Sequence, residues 1–272
     1  MELLVEQKRR VLKLVLNRPE KRNALTSGMC SAIVEAVEKV QESEEVGAIL
    51  LCANGPVFCA GMDLDEAAGM DHNQLAAIHD DLFSLGINSK KPIVISVGGP
   101  ALGGGVGLVA QGHIVTASTG AIFALREIHV GLWPFLVYRS VEAALGSRRT
   151  LELSLTGRSF NAYDALAWGL IHSVCNHGEV SDRAKGIAND LAKASPAALN
   201  AGMQYFHQSR EKSLAESAEI AKDLRRCLME TDDFKEGYEA FKHKREPHWP
   251  SIPPNFYHVR RSSDDGNGGP SS

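Results

Sequence analysis

A run of three glycines is the first part of the sequence whose composition could support chemistry. Gly103, Gly104 and Gly105 follow an apolar stretch at 92–97 that is typical of a buried strand, and the apolar residues at 106–110 can begin a buried helix. A glycine-rich turn between a strand and a helix presents free backbone N–H groups, which can bind an anion or a polarised oxygen. The same run is equally compatible with a crowded turn that binds no ligand.

Residues 105–110 also fit the pattern Gly-x-Gly-x-x-Ala, which holds a pyrophosphate in dinucleotide-binding proteins, and Glu127 follows about 20 residues later. Two observations oppose this interpretation. The fingerprint usually follows the first strand of its unit, whereas about 90 residues with strand and helix patterns precede this one. It also leaves the turn-rich segment at 54–64 without a role.

The composition of the 272-residue chain is that of an ordinary globular protein, with 44% hydrophobic and 23% charged residues. Its net charge of −4 gives no reason to expect nucleic acid or an anionic membrane surface as a partner. No apolar run approaches the roughly 20 residues that a membrane helix needs. The five scattered cysteines include no Cys-x-x-Cys pair, which predicts reduced thiols and no metal site. With an N-terminus unlike a secretory signal, they favour a cytoplasmic location.

Strand and helix patterns alternate on both sides of the glycine run. Strands are predicted at 3–5, 11–16, 46–52, 92–97, 114–117 and 121–124, and the first two are joined by a turn over 6–10. Helices are predicted from about residue 26 or 27 to 40 and over 73–88. Elements that alternate in this way form β-α-β units around a helix-covered sheet, so the predicted fold class is α/β.

From about residue 143 onward the pattern changes to helices in series. They are predicted at 147–156, 162–169, 180–194, 196–210 and 213–230. Helices without strands between them usually form a subdomain or an oligomer interface. We therefore divide the chain into an α/β core at 1–195, a helical region for oligomerisation at 196–256, and a polar tail at 257–272 that we expect to be disordered.

Five segments, in one order and register, resemble the crotonase (enoyl-CoA hydratase/isomerase) superfamily. They lie at 17–25, 58–64, 99–105, 123–131 and 155–170, and the resemblance extends over roughly residues 3–246. It implies the crotonase-like (ClpP/crotonase) fold, with repeated ββα units and C-terminal helices that form a homotrimer or a dimer of trimers. It also implies an acyl-CoA thioester as partner, with coenzyme A as part of the substrate and no prosthetic group.

The resemblance assigns an oxyanion role to two main-chain amides, the N–H groups of Met62 and Gly104. In the family these amides hold the thioester oxygen while enolate-like charge develops on it. Preorganised donors of this kind each stabilise such charge by about 3–4 kcal/mol in other oxyanion holes. The Met62 side chain would then be only a part of the pocket wall.

The resemblance also implies where the coenzyme lies. The residues expected to contact it in the same subunit are Lys21, Arg22, Ala60, Asp63 and Leu64. The two cations would face the phosphates of the coenzyme. Phe241 and Lys244 match a C-terminal Phe-x-x-Lys pattern that, in the family, reaches the coenzyme of a neighbouring subunit.

The carboxylates distinguish two reactions in the family. Family hydratases use two glutamates to place water and exchange protons, and here Gly107 stands at the first position and Glu127 at the second. Family isomerases have a single glutamate at the position of Glu127, which moves a proton from C2 of a 3-enoyl thioester to C4. An apolar pocket would raise the pKa of this carboxyl and suit it to proton transfer. Isomerisation is therefore our first expectation, and hydration of a 2-enoyl thioester by Glu127 is the alternative.

Several further expectations concern the surroundings of Glu127. The residues expected to line the substrate pocket are Gly103, Gly107, Trp133, Pro134 and Phe135. His129 could assist Glu127 if the segment between them is extended, and Glu66 or Asp71 could replace the missing carboxylate. A glutamate introduced at position 107 is expected to raise any hydratase activity. A crotonase-like scaffold that acts in binding or assembly, without catalysis, is the alternative of another class.

Overall fold

The computed structural model describes residues 1–257, and its strands form two sheets. In chain order the strands are β1 (Leu3–Lys8), β2 (Val11–Leu16), β3 (Ala48–Ala53), β4 (Ile93–Val97), β5 (Ala101–Leu102), β6 (Ile114–Ser118), β7 (Ile122–Ala124), β8 (Phe160–Asn161) and β9 (Ser173–Cys175). The larger sheet has the order β1-β2-β3-β4-β6-β9 and is parallel except for the β1–β2 pair. The smaller sheet has the order β5-β7-β8.

Helices lie between the strands and continue beyond the last one. They are α1 (Ser27–Glu38), α2 (Leu64–Ala67), α3 (His72–Leu82), α4 (Leu85–Asn88), α5 (Gly104–Val109), α6 (Phe135–Leu145), α7 (Ser147–Thr156), α8 (Ala162–Trp168), α9 (Val180–Lys193), α10 (Pro196–Gln208), α11 (Leu214–Met229) and α12 (Asp232–Lys242). Short 3-10 helices occupy Pro19–Lys21, Glu127–Val130 and Pro254–Phe256. No helix within residues 1–257 combines the length and the apolar character needed to cross a bilayer.

The central strands are apolar on both sides because helices cover both faces of the larger sheet. Ile49 and Leu51 of β3 belong to the main core with α1, whereas Ala48 and Leu50 pack against the alanine face of α9. Successive side chains of a strand point to opposite faces, so these two sets mark the two covered faces. The continuous apolar runs in the sequence are thus the runs expected for a parallel sheet buried between helices.

The helical region at the C-terminus is joined to the end of α9 by a buried carboxylate. Asp233, near the start of α12, accepts hydrogen bonds from the hydroxyls of Ser195 at 2.5 Å and Ser251 at 2.7 Å. The indole N–H of Trp249 donates to the carbonyl of Lys193 at 2.8 Å. These contacts fix α12 and the segment after it against the core.

Several element predictions are corrected by the structure. Strand β1 extends to Lys8 because the hairpin turn needs only Arg9, with φ at +52°, and Arg10. The helix predicted over 73–88 is divided into α3 and α4. The region predicted as helices in series contains β8, which pairs with β7, and β9, which pairs with β6. The tail predicted to be disordered lies outside the described residues, apart from residue 257.

The glycine run also differs in detail from its prediction. A two-residue strand, β5, stands between β4 and the glycines, and the helix begins at Gly104 rather than at about residue 106. Gly105 lies within α5 and is packed against another segment, since a Cβ there would come 2.5 Å from the carbonyl oxygen of Cys59. This glycine therefore serves close packing of main chains, which removes the basis for the dinucleotide interpretation.

Candidate active site

Two turns of the main chain come into contact at the edge of the core. The segment at 59–63 runs parallel to that at 22–25, with the N–H of Leu25 donating to the carbonyl of Gly61 at 2.7 Å. On its other side, Leu102 donates to Cys59 at 2.9 Å. Gly61 has a φ of +94°, and a Cβ there would lie 3.3 Å from the nitrogen of Gly104. Glycine at position 61 therefore allows the two turns to touch.

Each of these turns carries a main-chain amide that has no acceptor among the described residues. Gly104 is the first residue of α5, a position whose N–H has no acceptor within its own helix. Neither this N–H nor that of Met62 donates a hydrogen bond within residues 1–257. Both residues line one cavity. The structure thus brings together the two residues to which the family resemblance assigns the oxyanion role.

Glu127 lies beside the same glycine turn. It begins the 3-10 helix Glu127–Val130, and a Cβ on Gly103 would come 3.1 Å from its Oε1. Its Oε2 is buried and has no hydrogen-bond partner among the described residues. Burial raises the pKa of the Glu127 carboxyl, and a hydrogen bond from its own N–H opposes this only in part. A carboxyl with a raised pKa and one unpaired oxygen is suited to accepting and returning protons.

The cavity around these groups has a volume of about 370 Å³. One wall is formed by α3 and the residue that follows it, and another by the segment from Arg126 to the start of α6. Leu25, Ala60, Met62 and Leu64 add to the lining, which is mostly apolar. Of the residues that line it, all within 1–257, only Glu127 carries a carboxylate.

The other residues predicted to form the substrate pocket divide into two groups. Gly103, Trp133, Pro134 and Phe135 line the cavity. Gly107 does not line the cavity, because the ring of Phe83 lies between this glycine and the cavity. A Cβ on Gly107 would lie 2.7 Å from Cε1 of Phe83 and 3.0 Å from Cγ2 of Val137. The placement of Gly107 in the pocket was wrong, and a glutamate at this position requires the side chains of Phe83 and Val137 to move.

The residues predicted to contact the coenzyme in the same subunit lie together at one side of the cavity. Ala60 and Leu64 line it, and Ala60 donates a hydrogen bond to the carbonyl of Arg22 at 3.0 Å. Lys21 and Arg22 are exposed at the end of the 3-10 helix Pro19–Lys21. This arrangement leaves both cations free to meet a ligand that enters from this side.

Asp63 is engaged by the protein itself. Its carboxylate forms an ion pair with Arg18 at 3.0 Å and accepts a hydrogen bond from the N–H of Glu66 as the cap of α2. An acid that caps a helix and pairs with an arginine stabilises the turn that carries Met62. Its side chain therefore shapes the site, and its predicted contact with the coenzyme stays a prediction.

Phe241 and Lys244 are not brought to this cavity. Phe241 is 84% exposed at the end of α12, and Lys244 follows it on the surface. Neither residue lines the cavity formed by its own chain. Their predicted contact with a neighbouring subunit stays a prediction.

The groups expected to support or replace Glu127 have other partners. Glu66 accepts hydrogen bonds from the hydroxyl and the N–H of Ser27, and Asp71 caps α3 through the N–H of Gln74. His129 is exposed, because the segment after Glu127 is helical rather than extended. None of the three lines the cavity. The condition under which His129 would point the same way as Glu127, an extended segment between them, is not met.

Sequence reasoning missed His79 and Phe83, one turn apart at the cavity face of α3. Their ring centroids lie 5.9 Å apart, and both side chains are buried. Burial lowers the pKa of His79, with the charge of Glu66 opposing this, so that the ring is neutral near pH 7. The available signal was a histidine four residues after Leu75, on the apolar stripe of the predicted helix.

Comparisons with known proteins agree with this geometry. The chain matches the family model described as enoyl-CoA hydratase/isomerase over residues 6–252. It is 34% identical over 255 residues to the 2,3-dehydroadipyl-CoA hydratase of Escherichia coli (strain K12), covering 90% of this chain and 97% of that protein. A probable enoyl-CoA hydratase, mitochondrial, of Dictyostelium discoideum is 33% identical over 251 residues, covering 90% and 89%.

A solved structure gives the same result for the fold. The crystal structure of an enoyl-CoA hydratase from Mycobacterium smegmatis has a TM-score of 0.87 to this chain at 30% identity, and the match covers 92% of this chain and 99% of the other. The predicted crotonase-like fold is confirmed, and so is the prediction of an enzyme. The chain belongs to the enoyl-CoA hydratase/isomerase family.

Proposed function

We propose that this enzyme isomerises 3-enoyl-CoA thioesters to 2-enoyl-CoA thioesters. One observation carries the proposal: within residues 1–257, Glu127 is the one carboxylate that lines the cavity, and it lies against the glycine turn at 103–104. A single carboxylate suffices for this reaction, because the proton that it takes from one carbon can be returned to another.

The reaction begins with the thioester oxygen accepting hydrogen bonds from the N–H groups of Met62 and Gly104. Glu127 removes a proton from C2, and the electron pair moves toward the oxygen to give a dienolate. The two amides stabilise the developing charge, each by about 3–4 kcal/mol if they act as other oxyanion holes do. The electrons then return to form the C2–C3 double bond, while C4 takes the proton from Glu127 and the C3–C4 double bond is lost.

The coenzyme part of the substrate is proposed to lie at the side of the cavity formed by Ala60 and Leu64. The exposed cations of Lys21 and Arg22 supply positive charge for its phosphates. Phe241 and Lys244 are proposed to reach the coenzyme of a neighbouring subunit in a homotrimer or a dimer of trimers. Their exposure at the end of α12 leaves them available for such a contact.

Hydration of a 2-enoyl thioester is the second candidate, and the names of the relatives, which are hydratases, favour it. In that reaction Glu127 must both activate the water and supply a proton to carbon. The neighbourhood of Gly107 offers no help, since the ring of Phe83 fills it. This difference makes isomerisation the simpler reaction for this cavity.

An assay of the purified full-length protein with 3-hexenoyl-CoA and 2-hexenoyl-CoA separates the candidates. We expect 3-hexenoyl-CoA to give the 2-enoyl product faster than 2-hexenoyl-CoA gives a 3-hydroxy product. Hydration without isomerisation would replace the first candidate by the second. Binding of both thioesters without any product would instead support the non-catalytic scaffold.

Two matched variants assign the chemistry to Glu127. Glu127→Gln keeps the size of the side chain and is expected to lower kcat by about 10²–10⁴-fold, the usual contribution of a general acid–base group. Glu66→Gln removes a carboxylate outside the cavity and is expected to keep turnover. Calorimetric titration with hexanoyl-CoA should give similar affinities for both variants. Unchanged turnover in Glu127→Gln would remove this residue from the mechanism.

A further inference from the structure

A second polar side chain, that of His79, lines the cavity from the wall formed by α3. His79 is 9% exposed, and its Nε2 is fully buried without a hydrogen-bond partner among residues 1–257. Buried ring nitrogens in folded proteins normally have a partner, so an unpaired one beside a cavity points to a ligand group. The proposed isomerisation makes no use of this side chain.

The surroundings of His79 define which ligand groups suit it. Leu75, Ala76 and Phe83 line the cavity next to it, and Glu66, whose charge acts on the pKa of His79, is engaged by Ser27. A charged group of either sign would lose its hydration here, and an anion would in addition meet the negative charge of Glu66. An uncharged oxygen matches a neutral imidazole, which donates a hydrogen bond through one nitrogen.

The distance from the oxyanion turn sets where on the substrate this oxygen lies. A Cβ on Gly104 would be 3.3 Å from Cζ of Phe83, and the rings of Phe83 and His79 are 5.9 Å apart. The ring of Phe83 thus lies between the imidazole of His79 and Gly104, which faces the thioester. An acyl chain that starts at Gly104 and runs along α3 passes His79 within its first six or so carbons, at roughly 1.3 Å per carbon.

We propose that His79 recognises an uncharged oxygen on the acyl chain, such as a keto group at C4 or C5, and that the enzyme prefers oxygenated acyl-CoA thioesters to plain ones. The inference rests on the proposed function only for the orientation of the thioester. A site with an unpaired buried donor rejects a ligand that lacks the acceptor, because that ligand leaves the donor unpaired.

Binding of saturated thioesters tests this preference without any chemistry. Calorimetric titration of the wild-type protein with hexanoyl-CoA, 4-oxohexanoyl-CoA and 5-oxohexanoyl-CoA is expected to show one oxo compound binding at least about tenfold more tightly than hexanoyl-CoA, the range of one hydrogen bond. Equal binding of all three compounds would overturn the inference. These compounds have no C3–C4 double bond, so the result does not depend on whether the enzyme is an isomerase.

Two variants of His79 and one control complete the test. His79→Phe keeps a planar ring without a hydrogen bond, and it should abolish the preference while hexanoyl-CoA still binds. His79→Gln keeps a donor and should retain part of the preference. His177→Phe changes an exposed histidine that does not line the cavity and should keep all of it. A preference that survives in His79→Phe would overturn the inference.

Discussion

At the scale of single residues, Glu127 is held in a state that lowers the stability of the fold. Its Oε2 is buried and unpaired, and burial raises the pKa of the carboxyl above its ordinary value of 4.5. The ionised form is therefore disfavoured in the folded protein relative to the unfolded chain. A buried carboxyl that lowers the stability of the folded protein is typical of a functional site, where the residue is kept for its reactivity.

Glu127→Gln is expected to stabilise the protein at neutral pH. Between the pKa of the unfolded chain, near 4.5, and the raised pKa of the folded protein, only the unfolded chain has lost this proton, so wild-type stability falls as pH rises. At a pH below both pKa values, the carboxyl is protonated in the folded and the unfolded protein, and the stability difference between the variant and the wild type disappears. Melting temperatures of the variant and the wild type at pH 4 and pH 7 measure this stability difference and its dependence on pH. A variant less stable than the wild type at pH 7 would contradict the assignment.

The activity should rise with pH over the range in which the stability of the wild type falls. Glu127 acts first as a base, so kcat/KM for 3-hexenoyl-CoA is expected to rise with pH through the raised pKa of this carboxyl and then to level off. Initial rates over pH 4–8, on enzyme shown to stay folded, would test this. A profile that stays flat down to pH 4.5 would mean that Glu127 is not the base.

At the scale of elements, the site depends on the contact between the turns at 59–63 and 103–104. Gly61→Ala places a Cβ 2.9 Å from the carbonyl oxygen of Leu102 at a φ of +94°, so the turns must move apart. Misplacement by about 1 Å can lower turnover by about 10²-fold, which is the loss we expect. Gly69→Ala is the matched control, because its Cβ would meet only an atom 3.7 Å away. Equal activity of the two variants would contradict the role of this contact.

The packing of Phe83 over Gly107 leads to a prediction about two substitutions. Gly107→Glu alone is expected to destabilise the fold by about 1–3 kcal/mol or more through overpacking, without a gain in hydration. Adding Phe83→Ala makes room, so the double variant should be more stable than the sum of the single changes predicts. Urea denaturation of the four proteins measures this coupling. Additive effects would show that the two side chains do not compete for the same space.

The sequence predicted most of the long elements but missed the 11-residue helices α6 and α12, and it predicted the short elements poorly. Strands β2 and β4 and helix α1 have apolar patterns long enough to show a period, whereas β5 and β8 have two residues each and show none. Whether His129 could assist Glu127 depended on an extended segment, and the 3-10 helix that forms there instead is not visible in the sequence pattern. Asp63 was assigned to the coenzyme from the family resemblance alone, and its pairing with Arg18 joins residues 45 positions apart, a contact that only the fold reveals.

At the scale of the whole molecule, several large apolar side chains remain exposed around α6 to α8. Phe135, Leu155 and Tyr163 are 74%, 58% and 60% exposed. Exposed apolar groups in one region are typical of a surface that contacts another subunit. We therefore expect sedimentation equilibrium to give three or six times the 29.4 kDa of one chain. A monomer at micromolar concentration would contradict the proposed assembly.

Assembly and coenzyme binding are expected to be linked through α12. Phe241→Ala removes a side chain that is 84% exposed in the single chain, so the stability of the core should not change. If this residue reaches a neighbouring subunit's coenzyme, the affinity for hexanoyl-CoA should fall about tenfold, as for loss of a well-packed aromatic contact. Exposed Phe234→Ala on the same helix is the control. Equal affinities of the two variants would mean that Phe241 does not contact the coenzyme bound to a neighbouring subunit.

The central claim is that one carboxylate carries a proton from C2 to C4 of a thioester held by two amides. The most direct test is mass spectrometry of the product formed in water from 3-hexenoyl-CoA that carries two deuterium atoms at C2. Because Oε2 of Glu127 is buried, transfer should compete with exchange into solvent. We predict 2-hexenoyl-CoA with deuterium at C4 from the wild type and almost no product from Glu127→Gln. Product without deuterium at C4, or equal product from both proteins, would contradict the account.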